Sequence, residues 1–412
     1  MAPRPRWVDV KQADLKRADL KWIAIGVFVL SSALNYLDRL LLAALAPTLK
    51  LEFHLSNTQY GELISVFSLV YAVMAPLAGW FIDTVGLNWG ITISMTVWSL
   101  AGMATGIGRS FPALLISRTV LGAAEAAGIP AAAKANGMYL APPELAFGSA
   151  MNQVGITFGS IAAPLIVAAM APVYGWRSVF LVCGALGFVW LPAWWLTARK
   201  IPARKQQVVV SGQFKEILRD RRVWALAIAN ALVMTLYTLW TNWTTLYLVE
   251  RHHLTEAQAN HQFAWIPPVF AMLGGFFGSW MTYRFARSGA NIFEARMRTS
   301  SIAGAVLLLT AAVPLMPSPM LAAAAISVSF FWCLAISANF YVMPIDFFGA
   351  RHAAFGVSLL TCSYGLMQTI LSPLIGSMVD HLGFAPVCVA MAALPLAGVA
   401  ILRVSTLGEV SQ

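Results

Sequence analysis

Residues Arg118 to Gly137 read RTVLGAAEAAGIPAAAKANG. Arg118, Glu125 and Lys134 stand among glycines and alanines inside a long apolar run, with Pro130 between the last two charges. An ionisable side chain at membrane depth is costly, so a segment that keeps several of them is a functional site by default. Arg118 and Glu125 are seven residues apart. On a helix of 3.6 residues per turn they fall within about 20° of one face, roughly 10 Å apart along the axis. The small residues Gly122, Ala123, Ala126 and Gly128 let a neighbouring helix approach closely. The segment therefore reads as one span of a helical bundle, with its charges turned inward.

The rest of the composition agrees with that reading. Of the 412 residues 59% are apolar and only 11% are charged, against about 25% charged in a typical soluble chain. Mean hydropathy is +0.72. The first 21 residues are polar and charged, from Arg4 to Lys21, with no apolar core ahead of a cleavage site. They read as an arm, not as a signal peptide. Cys183, Cys333, Cys362 and Cys388 all fall in apolar segments without metal-ligand spacing and read as small buried hydrophobes. The net charge of +10 does not indicate a nucleic-acid partner, because the basic residues other than Arg39, Arg118 and Lys134 lie in the segments between and flanking the spans.

Windows long enough to cross a bilayer fall at 22–49, 57–83, 88–107, 111–140, 144–172, 177–198, 223–250, 257–286, 296–314, 318–346, 352–380 and 384–405. With the N-terminus inside, cytoplasmic segments hold twenty Lys and Arg and external loops hold four: Lys50, Arg109, Arg177 and Arg251. That bias predicts cytoplasmic termini. The basic break between Ala198 and Arg222 divides the chain into six spans and six, with Phe214–Arg222 a candidate surface helix. The expected organisation is an arm at 1–21, a six-helix bundle at 22–198, a linker at 199–222, a second bundle at 223–405 and a tail at 406–412. This is an all-α membrane protein of twelve transmembrane helices in two halves.

The halves repeat. Ala146-Phe147-Gly148 is followed eighteen residues on by Pro164-Leu165-Ile166, and Ala354-Phe355-Gly356 nineteen on by Pro373-Leu374-Ile375; Gly175 and Gly383 then close spans five and eleven. Two such matches in order, each at the same place in its half, indicate duplicated six-span units.

These features are joined by Gly79-Trp-Phe-Ile-Asp83-Thr-Val-Gly86 between spans two and three. Here the chain resembles the major facilitator superfamily, whose loop motif has that spacing. The usual Arg after the Asp is replaced by Thr84, and the second-half counterpart has Thr282 where an Asp is usual. Within the superfamily it is most similar to the anion:cation symporters, especially bacterial hexuronate and galactonate transporters. Asn35-Tyr36-Leu37-Asp38-Arg39, Arg118 with Gly122 to Pro130, Lys134, and Asn152-Gln153 carry the likeness. It implies the pseudo-symmetric major facilitator fold, a bacterial cytoplasmic membrane, a monomer surrounded by lipid, and proton-coupled import of a small organic anion, most naturally a sugar acid.

The chemistry of the residues fits. Asp38, Arg39 and Arg118 reach similar depths, and Glu125 comes near the midplane. A guanidinium binds a carboxylate with two parallel hydrogen bonds and stays charged. Burial and a neighbouring cation pull a carboxyl group's proton affinity in opposite directions, so Asp38 and Glu125 suit proton coupling. Arg39 and Arg118 are the candidate anion ligands. Asn35, Tyr71, Asn152 and Gln153 are candidate sugar contacts in the first half, and Lys134 an inner contact. Asn339 and Tyr364, with Tyr237, Asn242, Trp243 and Gln368, are candidates for the opposite wall. Each has a competing reading as a helix–helix contact. Glu62 reads as an acid at a helix start, His252-His253 and His261 as loop residues, and Pro267-Pro268 as a kink in span eight. No nucleophile with a base, metal constellation or phosphate loop appears, so neither an enzyme nor a cofactor is expected. An exporter, an uncoupled or sodium-linked anion carrier, and a non-transporting sensor are the alternatives.

Overall fold

The computed structural model describes residues 6–141, 144–199, 218–348 and 353–406. Most of the expected linker, Arg351 and the tail beyond residue 406 lie outside the described residues. All described secondary structure is helical, and twelve helices are long and apolar enough to cross a membrane. They are Leu20–Ala44, Asn57–Val85, Leu87–Ile107, Phe111–Tyr139, Phe147–Tyr174, Trp176–Ala198, Arg221–His252, Glu256–Arg287, Ile292–Leu315, Pro319–Phe348, Gly356–Leu382 and Phe384–Thr406, spans one to twelve. One continuous helix runs from Arg6 to Ala44, so the polar segment leads into span one without a break.

The breaks in the helices follow the prolines. A proline removes one amide donor, and its ring crowds the carbonyl four residues back. Span four is interrupted at Ala126–Ala127, four and three residues before Pro130, and resumes as Gly128–Tyr139. The interruption falls directly after Glu125. Span ten breaks at Tyr341–Val342 before Pro344, and span twelve at Ala393 before Pro395. The expected kink of span eight is a π-turn at Asn260–Ala264, immediately ahead of Pro267 and Pro268. Such single wide turns concentrate at functional positions.

The packing repeats between halves. Span one lies on five, two on four and three on six. In the same way seven lies on eleven, eight on ten and nine on twelve. Between the halves, span two crosses eleven, one crosses seven and five crosses eight. The chain thus forms two related six-helix bundles facing each other across a central axis.

The two ends of that axis differ. At the end bearing Lys50 the halves are sealed by polar contacts. Lys50 pairs with Glu250 at 2.6 Å, and the Thr48 amide donates to Glu256 at 2.9 Å. Asp380 accepts the Asn57 and Thr58 amides, both at 2.9 Å. The carboxylate thereby caps the positive end of span two, where it is electrostatically favoured. Deeper in, the Asn260 amide donates to the Ala44 carbonyl at 2.8 Å, and the Tyr60 hydroxyl to that of Asn242 at 2.7 Å. At the opposite end the polar ties among the described residues include Lys21 with Glu144 at 2.6 Å, Lys134 with Asp83 at 2.8 Å and Arg296 with Asp346 at 2.7 Å, each within a half.

Spans two and eleven cross at the seal through glycines. A Cβ at Gly61 would collide with the Ser372 carbonyl and lie 2.9 Å from the Pro373 Cα. Gly61→Leu is therefore expected to destabilise the protein by about 1–3 kcal/mol, the usual cost of overpacking. Gly26→Leu, where an added Cβ would meet no neighbouring helix within 4 Å, should leave the thermal midpoint of detergent-purified protein unchanged. Equal midpoints for both variants would refute the close crossing.

Candidate functional site

A cavity of about 730 Å³ lies between the halves. Its walls include Arg39, Tyr71 and Gln153 from the first half and Tyr237, Tyr364 and Gln368 from the second. It extends toward the Lys134 end between Ala133 and Asn136 of span four, Ser149 of span five, Ser279 of span eight and Tyr341 of span ten.

Arg39 is the cation at the cavity wall. Its side chain keeps 18% of its surface exposed, and its Nη2 donates to Glu125 Oε2 at 3.2 Å and to Asn35 Oδ1 at 3.3 Å. Three aromatic rings surround the guanidinium: Tyr71 at 4.7 Å, Phe67 at 4.8 Å and Tyr36 at 4.9 Å. Each offers the negative face of a ring to the cation. Glu125 is fully buried, and its Oε1 has no hydrogen-bond partner among the described residues.

Arg118 sits behind this layer. It is 2% exposed, and its Nη2 donates to the Arg39 carbonyl at 3.2 Å. Its Nε and Nη1 have no partner among the described residues. Its guanidinium rests 5.3 Å from the Phe67 ring and lines a recess of about 20 Å³ that adjoins the main cavity and shares Tyr36, Arg39 and Phe67 with it. The same-face geometry of Arg118 and Glu125 does not make them an ion pair; Glu125 bonds Arg39 across two spans instead.

Asp38 and Arg39 are adjacent in sequence, and successive residues on a helix point about 100° apart. Arg39 therefore reaches the cavity while Asp38 turns into the first half. There its Oδ2 accepts the Trp98 indole N–H of span three at 2.5 Å. With both acids ionised, the cluster holds two positive and two negative charges in an apolar bundle.

The remaining predicted residues separate into two groups. Tyr71, Asn152, Gln153 and Tyr364 line the cavity. Asn35 stands behind Arg39 and orients it. Lys134 does not face the cavity: it bonds Asp83 at 2.8 Å and the Ile82 carbonyl at 2.9 Å. The loop acid without a neighbouring Arg thus takes its cation from span four. Asn339 is also misplaced by the sequence reading. It is fully buried and locked among Thr282, Ala335 and Arg296, on the side of span ten away from the cavity. Helical phase decides both, since a side chain's depth alone does not tell which neighbour it meets.

Several lining residues were not singled out from sequence. Tyr36, Phe67, Asn136 and Trp240 all face the cavity, and Asn136 Oδ1, Asn152 Oδ1 and Trp240 Nε1 have no partner among the described residues. The signal for Phe67 was present: it lies four residues before Tyr71, a spacing that places both on one helix face.

Comparison with known proteins adds an independent line. A profile of the Major Facilitator Superfamily matches residues 28–363. The hexuronate transporter of Escherichia coli (strain K12) is 27% identical over 403 residues, covering 93% of each chain. The galacturonate transporter of Dickeya chrysanthemi is 28% identical over 325 residues, 74% of this chain and 94% of its own. A solved bacterial homolog of the human lysosomal transporter Spinster, inward-facing and occupied, matches with a TM-score of 0.75 at 21% identity, covering 92% of this chain and 94% of its own. That last likeness concerns the fold.

Breaking a buried ion pair from one side costs about 3–5 kcal/mol, because the abandoned charge stays desolvated. Arg39→Met at pH 8 is therefore expected to lower the thermal midpoint. Adding Glu125→Gln to it should restore part of the loss. A double variant no more stable than Arg39→Met would show that the pair carries no such coupling.

Proposed function

The chain belongs to the Major Facilitator Superfamily, and on that premise we propose that it carries a small sugar-acid anion of the hexuronate class together with protons. The observation that carries this reading is Arg39: a guanidinium at the wall of a central cavity, backed by a fully buried carboxylate. The names of the relatives support the substrate class.

The substrate carboxylate approaches Arg39 from the cavity and competes with Glu125 for its donors. A guanidinium fork suits that carboxylate. Gln153, Asn152 and the hydroxyls of Tyr71 and Tyr364 surround the cavity and offer donors and acceptors to the sugar hydroxyls. Charge balance then couples the proton. The resting cluster is neutral when both acids are ionised, and a bound anion leaves one uncompensated negative charge in a medium that penalises it. Protonation of Glu125 removes that charge. Because linkage is reciprocal, a bound proton also strengthens anion binding. Asp38, held by Trp98 away from the cavity, is the second titratable acid and the seat of a second coupled proton.

Alternating access follows from the two unlike ends. The positive-inside bias assigns the Lys50 end to the outside. The seal formed by Lys50, Glu250, Glu256 and Asp380 then closes the external side, and the cavity faces the cytoplasm. Rocking of the halves breaks the seal and closes the other end around the same site.

The test is proton uptake by reconstituted liposomes on external addition of galacturonate, glucuronate, galactonate or gluconate. Uptake with at least one sugar acid is expected, with loss in Arg39→Ala. Glu125→Gln should bind substrate while moving fewer protons per anion. Silence with all four, from folded protein, would overturn the substrate class; identical proton movement in Arg39→Ala would overturn the site.

A further inference from the structure

Among the described residues, Phe67 is the ring that two arginines share. It lies under both central guanidinium groups, 4.8 Å from that of Arg39 and 5.3 Å from that of Arg118. It also lines both the main cavity and the small recess behind it. Neither arginine donates to the other's side chain: Arg118 bonds the Arg39 carbonyl, and Arg39 turns its Nη2 to Glu125 and Asn35.

The ring is held from two directions. Tyr71, one turn on, stacks against it with centroids 5.9 Å apart and planes at 24°. The backbone at Phe67 presses on span four where the latter has no side chain: a Cβ at Gly122 would lie 2.7 Å from the Phe67 carbonyl oxygen. Gly122 stands between Arg118 and Glu125 on that span. The ring's place is therefore fixed by the same helix that carries the buried charges.

We propose that Phe67 is a positioning residue for anion binding: its ring is the common wall that keeps Arg39 presented to the cavity and Arg118 in the recess. An aliphatic side chain fills the space but offers no π face. Without the face, the Arg39 guanidinium, which already bonds Glu125 and borders the recess, loses the ring that fixes its orientation at the cavity wall, and the carboxylate meets a less organised partner. The inference rests on the reading of Arg39 as the anion ligand.

The experiment has two arms. In the first, galacturonate uptake is measured for the wild type, Phe67→Leu and Phe67→Tyr in liposomes. Phe67→Leu should raise KM about tenfold, as for a cation–π contact between the exposed and the fully desolvated cases, with the larger part of the effect in KM and not in maximal rate. Phe67→Tyr, which keeps the ring, should stay near wild type. An unchanged KM in Phe67→Leu, or a fall in maximal rate alone, overturns the proposal. The second arm needs no substrate: thermal midpoints of Phe67→Leu are compared in wild-type and Arg39→Met backgrounds. A smaller loss in the Arg39→Met background is expected, and additive losses overturn the proposal. If the wild type takes up no sugar acid, the transport reading fails while this cycle still decides the role of the ring. Should Phe67→Leu not fold, Phe67→Met replaces it in both arms.

Discussion

Four charges inside an apolar bundle must be balanced, and the bond between Arg39 and Glu125 is where that balance meets the cavity. Glu125 is fully buried, so its ionised form depends on a cation close by. Arg39 supplies it from span one at 3.2 Å. Arg118 and Asp38 complete the cluster, yet each is tied elsewhere, to the Arg39 carbonyl and to the Trp98 indole. One member of the cluster thereby reaches the cavity, and the other three are buried behind it. An aromatic collar of Tyr36, Phe67 and Tyr71 holds the open member in place.

Prolines and glycines set the geometry that makes this possible. Pro130 interrupts span four just beyond Glu125, where the Ala126 and Ala127 amides reach back at 3.3 and 3.4 Å. Gly122 lets span two lie against span four closely enough for Phe67 to touch both guanidinium groups. At the sealed end, Gly61 and Gly376 do the same for spans two and eleven. Inside a membrane such close approach supplies packing that a hydrophobic driving force between helices cannot.

The seal and the site share elements. Span two begins under the Asp380 carboxylate and, three turns on, carries Phe67 and Tyr71. Span one ends at Ala44, whose carbonyl is held by Asn260, one turn beyond Arg39. The two spans that form the wall around the cavity arginine are thus the ones pinned to the opposite half at the closed end.

By itself the sequence determined the class of protein and its organisation. Twelve apolar windows, their boundaries close to the observed helices, and the repeated motifs follow from local hydropathy and composition, which need no tertiary information. It also picked out Asp38, Arg39, Arg118 and Glu125, because charges stand out against apolar surroundings. What it did not determine was who meets whom. Arg118 and Glu125 share a face but do not pair, Lys134 serves the Asp83 loop, and Asn339 is locked in the second half. The exposure of Arg39 over Arg118, and the service of Phe67 to both, belong to the tertiary structure alone. Partners across a bundle are set by the phase and crossing of helices far apart in the chain, and that information is not carried by any one segment.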